Sequence, residues 1–197
     1  MQITSNANRR ALIFASAFFF AAAKLALAGC VPTSSGLVSW WRAEGNAVDA
    51  VGGNHGSLEG NTTYGVGQVG SAFVFDGDLD AVSVGSGANL QLQDFTIETW
   101  IKRASASIVS FAAGGNGTIF ANGDNAEGYN FYVQSDNVLA LGKSGVNVVT
   151  SAATLTGTNW HHVAVTKNGT SVVFYLDGVG YTTSPYNSGG YTFTAPI

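Results

Sequence analysis

Residues 160–177 read WHHVAVTKNGTSVVFYLD, two runs rich in β-branched and aromatic residues on either side of Asn168-Gly169. Such runs read as β-strands, in which successive side chains point to opposite faces. Asn-Gly tolerates positive φ, so the stretch reads as a hairpin, with strands at 162–166 and 171–176 and a type I′ turn at Asn168-Gly169. Asp177-Gly178 supplies a second turn, leading to Val179-Gly180-Tyr181. The same alternation decides what the adjacent histidines can do. His161, Val163 and Val165 share one face, and His162, Ala164 and Thr166 share the other. The two imidazoles therefore point apart and cannot jointly hold one ion; they read as hydrogen-bonded residues flanking a core.

Similar runs recur along the chain. Strands are expected at 37–42, 71–75, 81–84, 95–102, 118–121, 130–134 and 138–141, with weaker signals at 146–150 and 191–194. Glycine-rich turns separate them, and the loop EGNAVDAVGGNHG needs positive-φ backbone. Short strands at this spacing imply an all-β antiparallel sandwich or jelly roll. Trp40, Phe75, Phe95 and Phe131 are its expected core aromatics.

The N-terminus reads differently. Arg9 and Arg10 precede the apolar run 11–23, followed by Lys24 and LALAGC. A basic start, a short apolar stretch and the small residues Ala26-x-Ala28 describe an export signal over residues 1–29. The alternative is a buried or membrane-anchoring helix, although the run falls short of the roughly 20 apolar residues a span needs. Leu27-Ala28-Gly29-Cys30 also fits a lipobox, in which Cys30 would carry a lipid anchor; Lys24 interrupts the run just before it. The arginine pair suggests twin-arginine export, but its surroundings fit poorly. Residues 30–36 form a linker, and the folded domain spans 37–197.

Cys30 is the single cysteine, so the chain forms no internal disulfide. Loss of Arg9, Arg10 and Lys24 moves the net charge from −4 to −7. So acidic a domain suits neither nucleic acid nor an anionic membrane surface.

Four segments in order, LVSWWRAEGNAVDAVGGNHGSL, VGSAFVFDGDLDAVSV, DFTIETWIK and TNWHHVAVTKNGTSVVFYLDGV, cover most of residues 36–181. Together they resemble the laminin-G-like jelly roll of the concanavalin A-like lectin/glucanase superfamily. The resemblance implies that Trp-His-His-Val opens a core strand and that Leu176-Asp177-Gly178 closes its hairpin. Such domains normally continue with an Ile-Gly strand and a Gly-x-Ile-Asp-Glu-Val strand, which commonly pairs near the first. This sequence ends in TFTAPI, so the domain is expected to be C-terminally incomplete or completed by residues outside it, with an apolar edge open near residues 37–41.

Three chemistries bear on this scaffold. Glycoside hydrolysis needs two carboxylates, one to protonate the leaving oxygen and one to attack or to activate water. Jelly-roll glucanases carry them as Glu-x-Asp-x-x-Glu, whereas 95–102 offers only Glu98, with Asp94 just before it. The domain is therefore expected not to be an enzyme. For a metal, FDGDLD would put Asp76, Asp78 and Asp80 on one face if extended, able to gather a hard cation, although the turn near Gly77 works against alternation. The spacing rules out an EF-hand. A second candidate is the loop with Asp49, Asn54 and carbonyls near Gly52 and Gly56, to which the resemblance carries a structural calcium. The competing reading is that these are turn residues bonding their own backbone. For sugars, Trp100, Tyr132 and Asn130 lie on the face expected to be concave, with Asn122, Asp124 and Asn125 on a neighbouring loop.

The sequence thus points to an exported, non-catalytic binding or adhesion module, secreted or at the cell surface, expected to recognise extracellular carbohydrate, with calcium as a structural support. A structural or protein-interaction module, its partner a cell-surface or matrix protein, is the alternative. A degenerate glycoside hydrolase is the third.

Overall fold

A computed structural model describes residues 35–85, 87–110, 115–123 and 127–193. The expected export signal over residues 1–29, Cys30, Asp124 and Asn125 lie outside the described residues. Among the described residues no helix is long and apolar enough to cross a membrane.

The chain forms an antiparallel β sandwich. Its first layer pairs β5 (Phe95–Lys102), β10 (Trp160–Asn168), β11 (Ser171–Leu176) and β12 (Val179–Thr182) in the order β12-β11-β10-β5. The second pairs β6 (Gly117–Asn122), β7 (Tyr129–Val133), β8 (Val138–Lys143) and β9 (Asn147–Thr154) in sequence order. Ahead of them lie two ribbons, β1 (Ser57–Glu59) with β4 (Ala81–Ser83), and β2 (Thr63–Val66) with β3 (Ser71–Val74).

The alternation read from the sequence sets the core. Val163, Val165, Val172 and Phe174 of one layer meet Phe131, Val133, Leu139 and Leu141 of the other. The Phe131 and Phe174 rings are 6.3 Å apart and the Phe95 and Tyr129 rings 4.2 Å apart, both pairs stacked across the interface. Such aromatic pairs add to the burial of their large apolar surfaces. Phe95 and Phe131 are core residues as expected. Trp40 and Phe75 are not: Trp40 stands at the surface with the Arg42 guanidinium 4.2 Å above its ring, and Phe75 lies exposed beside Phe73.

Other departures have local causes. Residues 37–42 make an isolated bridge, Trp41 with Asp49, because the Asp49 carboxylate takes the Trp40 N–H. Residues 191–193 form no strand, since the Gln93 amide bonds both the N–H and the carbonyl of Tyr191. The hairpin turn slips by one residue. Asn168 pairs with Ser171, leaving Gly169-Thr170 as the loop, and only Gly169 of the two has positive φ. Gly at the first central position is the type II′ pattern, and the Gly169 N–H is held by Asp94 Oδ1 at 2.7 Å. The type I′ pattern falls instead at Asp177-Gly178, where both φ angles are positive.

Candidate functional site

The residues singled out in the sequence fall into four places. In the first, Asp49 is buried and its two oxygens accept N–H bonds from Trp40, Val51 and Asn54 at 2.9–3.0 Å. Asn54 Nδ2 adds a contact at 3.3 Å to the same carboxylate and donates to Ser39 Oγ. Burial opposes ionisation, but the N–H groups of Trp40, Val51, Gly52 and Asn54 outweigh it and hold the carboxyl well below the usual carboxylate range. Asp49 and Asn54 thus tie their own loop together.

The second place corrects the expected acidic face. Gly77 and Leu79 both take positive φ, so residues 76–80 turn rather than extend. Asp80 accepts the Asn61 and Asp76 N–H groups, and Asp76 accepts the Asp78 N–H. The Asp78 N–H is the leading cause that lowers the Asp76 carboxyl, followed by the Asn61 side chain. Among the described residues no group of three or more His, Cys, Asp or Glu is placed to hold a metal.

The third place is the hairpin. His161 Nδ1 meets Asp177 Oδ2 at 2.8 Å and its Nε2 meets the Thr156 carbonyl at 3.0 Å. The His162 N–H donates to Asp177 Oδ1, while its ring lies on the outer face. The His161 bond leads the lowering of the Asp177 carboxyl. The histidines do point apart, and Asp177 staples the strand from which both arise.

The sugar candidates make up the fourth, and they do not share one face. Tyr129, Phe131 and Val133 face the core, so Asn130 and Tyr132 face outward from β7. Trp100 faces outward from β5, on the opposite side of the sandwich, because its neighbours Ile97 and Ile101 pack inward. Asn122 is a core-side clamp: it is buried, and its Nδ2 joins the Tyr129 hydroxyl in bonding the Leu90 carbonyl.

Around Asn130 and Tyr132 lies a cleft of about 570 Å³, walled also by Asn116, Thr118, Asn147 and Val148, with Gly142 among its lining residues. Gly142 pairs with Asn130 across the ladder, and a Cβ there would meet Asn130 Oδ1 at 2.9 Å. The carboxamide oxygens of Asn130 and Asn147 are buried and accept no hydrogen bond. A buried acceptor without a donor is unfavourable unless a ligand or solvent supplies one. Burial raises the Tyr132 phenol above its ordinary value, so it is a neutral hydroxyl at physiological pH. Lys143 also lines the cleft, but its ammonium donates to the Gly190 carbonyl at 2.7 Å. A second hollow, about 450 Å³ between β9 and β12, is lined by aliphatic and hydroxyl side chains and has no aromatic ring.

Asn116, Thr118 and Asn147 escaped the sequence reading. Thr118 pairs with Tyr132, and Gly142 with Val148, so parity within each strand was readable. Which strands become neighbours was not.

The laminin-G family model, described as the concanavalin A-like lectin/glucanases superfamily, matches residues 75–196. The chain belongs to this superfamily. Among solved structures, domain 4 of AbnA, a GH43 extracellular arabinanase from Geobacillus stearothermophilus, in complex with arabinotriose, is similar at 18% identity and a TM-score of 0.60. That match covers 76% of this chain and 74% of the other. A putative carbohydrate binding protein from Bacteroides ovatus matches at 14% identity over 70% of this chain and 33% of its own, with a TM-score of 0.40. The carbohydrate binding module CBM66 from Bacillus subtilis matches at 17% identity over 70% and 88%, with a TM-score of 0.36. No curated protein matches the chain.

Proposed function

We propose that this domain is a non-catalytic carbohydrate-binding module of an exported protein, and that it takes a neutral oligosaccharide in the cleft on the outer face of β6–β9. The observation that carries this reading is a single cleft that gathers the amides of Asn116, Asn130 and Asn147, the Thr118 hydroxyl and the Tyr132 ring. Sugar hydroxyls bond amides and hydroxyls of this kind, and the Tyr132 ring offers an apolar edge to C–H groups. Apart from Lys143, whose ammonium donates to the Gly190 carbonyl, the cleft is lined by uncharged side chains, which suit neutral glycans. The arabinotriose bound to the similar AbnA domain supports the ligand class.

The placement of the carboxylates supports a non-catalytic role. Glu98 stands on the other layer, and Asp94 is engaged by the Gly169 N–H and Lys167. Hydrolysis needs an acid and a partner flanking one bond, and these residues do not form that pair. Export rests on the sequence of residues 1–29, with Cys30 as the alternative site of a lipid anchor.

The test is isothermal titration against neutral oligosaccharides: arabinotriose, xylohexaose, cellohexaose and laminarihexaose. At least one binds, and the Asn130→Ala/Tyr132→Ala double variant weakens it by about tenfold or more. Full affinity in that variant would remove the cleft from the account.

A further inference from the structure

We propose that Asn168, at the tip of the β10–β11 hairpin, is a self-modification site: its side-chain amide closes on the Gly169 nitrogen, with Asp94 as base, and residue 168 becomes aspartate and isoaspartate.

Asn-Gly occurs at 116–117, 122–123 and 168–169. Glycine favours the ring closure because it has no Cβ to hinder its nitrogen as it approaches the preceding side chain. The three sites differ in what holds them. Asn116 Oδ1 accepts the Ser135 N–H, and Gly117 pairs with Val133 inside the β6–β7 ladder. Asn122 is buried, pairs with Tyr129 and gives its Nδ2 to the Leu90 carbonyl. Asn168 is exposed, and among the described residues its carboxamide makes no hydrogen bond. Asn168 pairs with Ser171, so Gly169 and Thr170 form the loop beyond the ladder. Here alone a free amide precedes a glycine nitrogen that no ladder holds.

Asp94 supplies the base. Its Oδ1 accepts the Gly169 N–H at 2.7 Å, so a carboxylate already touches the proton that must leave. The Lys167 ammonium, 3.5 Å from the same oxygen, draws the carboxylate to that place. The Gly169 nitrogen bonds to Asn168 Cγ while its proton passes to Asp94. The Cγ–Nδ2 bond then breaks, and Nδ2 takes that proton and leaves as ammonia. Water opens the resulting succinimide. Cleavage at Cγ gives aspartate, and cleavage at the main-chain carbonyl gives isoaspartate, whose backbone runs through Cβ and Cγ.

Either product adds a negative charge next to the residue that Asp94 holds. Isoaspartate also inserts a backbone carbon where Asn168 meets Ser171 and where the Thr170 carbonyl takes the Tyr186 N–H. The end of the hairpin that carries Val165 and Val172 into the core therefore loosens as the protein ages. The cleft, walled by β6–β9 of the other layer, is spared.

The test incubates the purified full chain at neutral pH and body temperature for weeks. Peptide mass spectrometry and enzymatic methylation of isoaspartate follow each Asn-Gly site. A sample kept unfolded in urea is the reference, in which the three sites react alike. In the folded protein Asn168 converts at least about tenfold faster than Asn116 and Asn122. Asp94→Asn keeps an acceptor for the Gly169 N–H but lacks the base, and slows Asn168 by about tenfold. A thermal midpoint near wild type shows that this variant is folded, and a loosened fold would speed the reaction rather than slow it. Aged protein has a lower midpoint than fresh protein. Asn116 or Asn122 converting first, or Asn168 inert when folded yet reactive in urea, overturns the site. Unchanged conversion in Asp94→Asn overturns the role of Asp94.

Discussion

Residues 95–182 bury Phe131, Phe174, Leu139, Leu141, Val163 and Val165 completely or nearly so, whereas residues 37–83 leave Val66, Val69 and Leu79 at 80–89% exposure. The sandwich is held by apolar area removed from water. The earlier segment is held by carboxylates that accept backbone N–H groups: Asp49 for Trp40, Val51 and Asn54, and Asp80 for Asn61 and Asp76. The first kind of support is insensitive to pH and pervasive. The second is local, sensitive to pH, and vulnerable at single atoms.

The largest effect should come from breaking the sandwich. Phe131→Ala or Phe174→Ala removes a fully buried ring and costs about 3–5 kcal/mol, read from urea denaturation. A loss below about 1 kcal/mol would mean that the two layers are not packed on those rings. Next comes Asp49→Ala, which strips three N–H groups of their acceptor and costs about 1–3 kcal/mol. A neutral result there would move the stability of the loop onto other contacts.

Acid separates the two regions without mutation. Asp49, Asp76 and Asp177 all have carboxyls held below their ordinary values in the folded state. Their contribution is complete at pH values above the ordinary carboxylate range and is lost as pH falls through that range toward their folded values. The thermal midpoint should therefore decline on acidification below about pH 4, less steeply in Asp177→Asn. A midpoint that rises on acidification contradicts this. The smallest effect is that of EDTA, which should leave the midpoint unchanged, because the Asp49 oxygens already have N–H partners. A fall would place a cation in that loop.

Much of the fold could be read from alternation. Residues 95–102 and 171–176 are strands with the expected bounds, and the opposite facing of His161 and His162 followed from parity alone. Strands β1 and β2 were missed, since SLE and TYGV are short and show little apolar alternation. Side chains that substitute for ladder bonds misled the reading at both ends: Asp49 at residue 40 and Gln93 at residue 191.

The site was half legible. Asn130 and Tyr132 could be paired because they sit two apart on one strand, but Trp100 was assigned to their face although it lies across the core. Parity fixes which residues of one strand share a side. It does not fix the layer to which that strand belongs, and only the pairings of β5 with β10 and of β7 with β8 settle that. Asn122 was misread because the Leu90 carbonyl that it clamps lies 32 residues away in the chain.

The central claim is that a neutral sugar binds in the cleft walled by Asn130 and Asn147. Side-chain amide resonances of the isotopically labelled protein test it most directly, titrated with whichever neutral oligosaccharide binds. The account predicts that the Asn130 and Asn147 side-chain amides shift together as the sugar is added, with the same apparent Kd. Saturable binding that leaves both amides unmoved would contradict it.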